Sequence, residues 1–116
     1  MVALDLFDEI TSIKLNCLTK EHAIDIVNRF EKLLNDFRLI DFFYIQPHRG
    51  DILYTDLKRL IDQTRWLLDV VASLDEDIEE VETIEYNIQL MANVAYSIAK
   101  QQWNYFVQSY DTLHGH

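Results

Sequence analysis

Val81, Ile84, Ile88, Met91, Ala95 and Ile98 alternate in steps of three and four, the spacing that lines one face of an α-helix with apolar side chains. Nothing from there to about residue 110 interrupts the pattern. Upstream, Ser73, Leu74, Asp75 and Glu76 match a capping box, so this helix is expected to begin near Ser73. A second stripe runs through Ala23, Ile26, Val27, Phe30, Leu33, Leu34 and Phe37 and continues more weakly over 40–45, with Thr19 placed to cap it. A third joins Leu53, Leu57, Leu60, Ile61, Leu67, Leu68 and Val71, with Asp51 as its cap. Between these two, Pro47 disfavours a helical Gln46 and Gly50 permits unusual dihedrals. Leu6, Phe7, Ile10 and Ile13 predict a shorter helix over about 3–16.

The pattern therefore predicts an all-α fold: an up-down helical bundle of three long helices plus one short N-terminal helix, in one domain spanning 1–116. At 1.5 Å of rise per residue the long helices would measure about 40, 33 and 50 Å in chain order, and the short one about 20 Å. Short links favour antiparallel neighbours. The short helix would then cover only the lower half of its successor. The end of the longest helix, with Trp103, Tyr105, Phe106 and Tyr110, would project beside Phe42, Phe43 and Tyr44.

Composition supports one packed domain. The 116 residues are 49% hydrophobic with only 2 Gly and 1 Pro, which leaves little punctuation for strands and hairpins. The opening residues MVALDLFDEI carry acids where a secretory signal carries bases, and no apolar run reaches about 18 residues. The expectation is a soluble, cytoplasmic protein, in which the RGD at Arg49, Gly50 and Asp51 is incidental. Cys17 stands alone, so neither an internal disulfide nor a cysteine-based zinc site is expected.

Charge changes the picture more. The chain carries 20 acids against 10 bases, a net of −10. That argues against direct nucleic-acid binding, which needs a basic footprint, and against an anionic membrane surface. The imbalance is local: residues 75–116 hold eight acids and one base. Seven of those acids lie in DEDIEEVETIE, over 75–85. The first turns of a helix stabilise acids through the macrodipole and free N–H groups. With a start near Ser73, that accounts for Asp75, Glu76, Asp77 and Glu79 and leaves Glu80, Glu82 and Glu85 in excess. From Tyr86 to Tyr110, by contrast, the only charged residue is Lys100. Two readings fit this half-helix: a central position covered within the monomer, or an interface that sheds charge and gains aromatics.

Catalytic chemistry finds no foothold. Di-iron bundles need a Glu-x-x-His from two helices, and none occurs here. Pairing two acidic motifs on successive helices, as helical pyrophosphohydrolases do, fails because the only acid after Glu85 is Asp111. No Gly-rich loop is available to cradle phosphate. No catalytic, metal or cofactor-binding residue is expected.

The sequence thus points to a non-enzymatic acidic interaction protein that binds and blocks a basic macromolecular partner, in the manner of an immunity protein or a phage-encoded inhibitor. Its partner would be a protein, basic or nucleic-acid-binding, met by Glu76, Asp77, Glu79, Glu80, Glu82 and Glu85. Phe42, Phe43, Trp103, Tyr105, Phe106 and Tyr110 form the candidate apolar interface. The alternative is a homo-oligomeric structural or assembly subunit, with a homodimer as its simplest form.

Overall fold

The computed structural model describes residues 19–45, 51–75 and 77–113, and of 51 and 109–113 the backbone alone. The helix expected over 3–16 and the break at 46–50 lie outside the described residues. Three helices make up the rest: α1 (Lys20–Tyr44), α2 (Asp51–Val70) and α3 (Glu79–Leu113). Among the described residues there is no strand.

Each helix begins or ends for a local reason. Thr19 has extended backbone, and its hydroxyl accepts from the His22 N–H at 3.2 Å, satisfying one orphan donor of α1. At the end of α2, Val71 N–H donates to the Leu67 carbonyl. The Val71 carbonyl in turn accepts from Lys20 Nζ at 2.8 Å, a cation placed on a helix C-terminus. That bond also ties the start of α1 to the end of α2.

The start of α3 differs from the capping-box expectation. The helix begins at Glu79, not near Ser73. Ser73 Oγ accepts from the Asp75 N–H, two residues on, and the first α3 bonds run from Val81 and Glu82 N–H to the Ile78 carbonyl. The reason is reach. Neighbouring helix axes lie about 8–10 Å apart, and a single residue between Val71 and Ser73 spans about 3.5 Å. The chain instead crosses over 71–78, pinned by buried Val71 and Leu74 and by Ile78 packed against the core.

The predicted stripes meet in one core. Phe30, Leu33, Leu34 and Phe37 of α1, Leu57 and Ile61 of α2, and Ile84, Ile88, Met91 and Ile98 of α3 are fully buried. Cross-helix bonds set the directions. Asn87 reaches Gln63 and Gln102 reaches Tyr54, so α2 and α3 are antiparallel. Tyr54 reaches Asp41 and Arg65 reaches Asn28, so α1 is antiparallel to α2 and runs parallel to α3. The result is an up-down-up bundle measuring 58 × 24 × 17 Å. A rod of this shape has two poles, and they differ.

Candidate interaction surfaces

The lower pole carries the acids. Asp77, Glu79, Glu80, Glu82 and Glu85 are all exposed; Glu76 lies outside the described residues. Because α3 starts at Glu79, its first turn contains Glu79, Glu80 and Glu82. The macrodipole therefore favours these three, and Glu85 stands beyond the first turn. The ion pairs among the described residues are elsewhere: Lys58 with Asp62 at 3.0 Å, Arg59 with Asp56 at 4.0 Å, and Arg65 with Glu31 at 3.2 Å. None of them involves an acid of the lower pole. Arg65 also donates to Asn28 Oδ1 at 2.8 Å, binding the middle of α2 to α1. Among the described residues, no group of three His, Cys, Asp or Glu side chains could hold a metal ion, and no helix is long and apolar enough to cross a membrane.

The upper pole is aromatic. Phe42 and Phe43 are 67% and 65% exposed, and their rings meet edge to face at 4.9 Å. Tyr44 is exposed beside them, although it continues the stripe of Phe37 and Asp41. Trp103 of α3 is 37% exposed. The six residues of the candidate interface do not behave alike. Phe106 packs against the core and Tyr105 is half-buried with a partner of its own, while the Tyr110 side chain lies outside the described residues. The exposed set is Phe42, Phe43 and Trp103, with Tyr44.

Beneath these aromatics lies a buried polar cluster that the hydrophobic pattern conceals. Asp41 and Gln102 are each 3% exposed, and Tyr54 is buried between them. Tyr54 Oη donates to Asp41 Oδ2 and lies 3.4 Å from the Phe37 carbonyl. Gln102 Nε2 is 2.8 Å from the Phe37 carbonyl, 3.0 Å from Asp41 Oδ1 and 3.2 Å from Tyr54 Oη. One residue from each helix thus closes a single network, and the Arg38 guanidinium lies over the Tyr54 ring at 5.9 Å. Gln102 Oε1 is buried without a partner among the described residues. A sequence signal for the cluster exists. Asp41 falls four residues after Phe37, and Gln102 four after Ile98, each a polar residue at a stripe position.

No family model, curated protein or solved structure matches this chain. Its function has to be argued from the two poles.

The lower pole, with its exposed carboxylates, can attract cations at long range. The upper pole offers exposed aromatic area, with Arg38 at its edge. Along α3, Glu82 and Trp103 are separated by about 30 Å, so the two surfaces act as separate sites on one rod.

Proposed function

We propose that this protein is a non-enzymatic interaction module that binds and blocks a basic macromolecular partner through its acidic pole. The observation that carries the reading is the polarity of the rod: Asp75, Asp77, Glu79, Glu80, Glu82 and Glu85 are exposed at one end and, among the described residues, none enters an ion pair. A cluster of unneutralised charge at one end of a rod raises the local concentration of a basic partner and its association rate. Such a surface suits competition for a basic active site or a nucleic-acid-binding groove, the task of an immunity protein or inhibitor in the cytoplasm.

Charge reversal tests it. Wild-type protein and an E80K/E82K/E85K variant are each used as bait against proteins of the source cells, with bound proteins quantified by mass spectrometry and eluted by salt. The expected result is a basic partner retained by the wild type, released as ionic strength rises and lost with the variant. Equal retention by both baits would sink the reading.

A further inference from the structure

Carboxylates steer a basic partner to the lower pole, but electrostatic attraction sets the association rate more than the affinity. A lasting complex also needs anchors that lose water on contact, most often Trp, Tyr or Arg. The exposed aromatics of the upper pole stand about 30 Å from Glu82 along α3, too far to serve a partner held at the acids.

Anchors of the right kind lie beside the acids. Trp66 and Val70 of α2 are 65% and 57% exposed, and Tyr86 of α3 is 60% exposed. The bond from Asn87 to Gln63 fixes where they sit. Gln63, Trp66 and Val70 follow at steps of three and four, so they share the side of α2 that Gln63 turns towards α3. Trp66 lies across the helix from Leu57, Ile61 and Leu68 of the core, and packing within the monomer gives no reason for an indole there. On α3, Tyr86 directly precedes Asn87, with Glu82 and Glu79 four and seven residues before it on the same face. The two helices are antiparallel, so Trp66 lies about 4.5 Å and Tyr86 about 1.5 Å towards the lower pole from the Gln63 level. Val70 follows at about 10.5 Å, between the heights of Glu82 and Glu79.

Charge decides what fits there. Asp69, Glu79, Glu82 and Glu85 are exposed around the patch, and among the described residues none enters an ion pair. The nearby bases of α2 are engaged elsewhere, Arg65 with Glu31 and Asn28 of α1, Arg59 with Asp56, and Lys58 with Asp62. The patch is therefore aromatic with an anionic rim. A second copy brings the same acids and is repelled. Arg and Lys match it on both counts: their stems pack on apolar surface, and their cations favour the faces of Trp and Tyr rings and pair with carboxylates.

We infer that Trp66, Val70 and Tyr86 are the anchor on which a basic protein partner is held. Arg or Lys side chains of that partner lie over the Trp66 and Tyr86 rings and reach Asp69, Glu79 and Glu82. The inference rests on the acidic-pole reading and deepens it: the acids bring the partner in, and this patch sets how long it stays.

A synthetic helical peptide of Leu, Ala and Arg, free of Trp and Tyr, tests the inference, with Glu in place of Arg as the control. The chain holds 2 Trp, so a W103F variant of the full chain leaves Trp66 as the sole indole reporter. The Arg peptide should shift Trp66 emission to the blue and shield it from acrylamide, and the Glu peptide should do neither. No response to the Arg peptide up to submillimolar concentration, or an equal response to both peptides, would overturn the inference. A W66S/Y86S variant changes only exposed residues and should keep the helix content and melting temperature of the wild type. Its affinity for a dye-labelled Arg peptide, read by anisotropy, should fall about tenfold or more, mainly through faster dissociation. The E80K/E82K/E85K variant should slow association instead. The two ways of failing are distinct. Binding lost on charge reversal but kept by W66S/Y86S removes the anchor and leaves the acidic-pole reading in place. Binding lost in W66S/Y86S but kept on charge reversal removes the acidic-pole reading, and with it the basic partner assigned to this patch.

Discussion

Thr64 sits at the centre of α2 with its side chain fully buried and its hydroxyl unpartnered among the described residues. A buried hydroxyl without a hydrogen bond costs about 1–3 kcal/mol by mutational measures. Thr64→Val keeps the shape and removes the polar atom, so stability to chemical denaturation should rise by about 1 kcal/mol. A loss of stability would mean that the hydroxyl has a partner. The Tyr54 hydroxyl is the opposite case. It donates to Asp41 and accepts from Gln102, so Tyr54→Phe strands an acceptor in the core and should cost about 1–3 kcal/mol in the same assay. Both residues look alike in the hydrophobic pattern, as polar atoms on an apolar stripe. What separates them is whether a neighbouring helix supplies a partner, and that is invisible along one chain.

At the scale of the element, periodicity carried most of the information. The stripes from Ala23 to Phe37, Leu57 to Leu68 and Val81 to Ile98 are the core, because a helix presents the same face every three to four residues whatever it packs against. Ala95 shows why identity matters as well as period: it is fully buried where α3 meets its neighbours. Ala95→Leu should overpack that contact and cost about 1–3 kcal/mol, read as a lower denaturation midpoint. The N-terminal cap of α1 is a smaller term, and Thr19→Ala should cost about 1 kcal/mol. The boundary of α3 was not legible. Ser73 to Glu76 has the residues of a capping box, yet Ser73 bonds to Asp75 N–H and the helix starts at Glu79. A capping motif is a local preference worth about 1 kcal/mol, and the requirement to cross from α2 to α3 overrides it.

For the whole molecule the shifted boundary has an electrostatic consequence. It brings Glu79, Glu80 and Glu82 into the first turn, where each gains about 0.3–1 kcal/mol from the helix dipole at low ionic strength. The E80K/E82K/E85K variant should therefore lose some stability, and the loss should shrink as salt is added. A thermal melt in low and high salt checks this; an effect of equal size in both would assign the loss to packing instead.

The sequence alone determined the class of object: helices, their core faces, and a charge imbalance confined to one stretch, since all of these follow from the identity and spacing of residues within a single element. Only the tertiary structure decided that Asp41, Tyr54 and Gln102 meet, and that Phe106 turns inward while Phe42 and Phe43 stay out. Each of these depends on the relative height of three helices. That height is set by contacts between residues 13 to 65 positions apart, which no local pattern encodes.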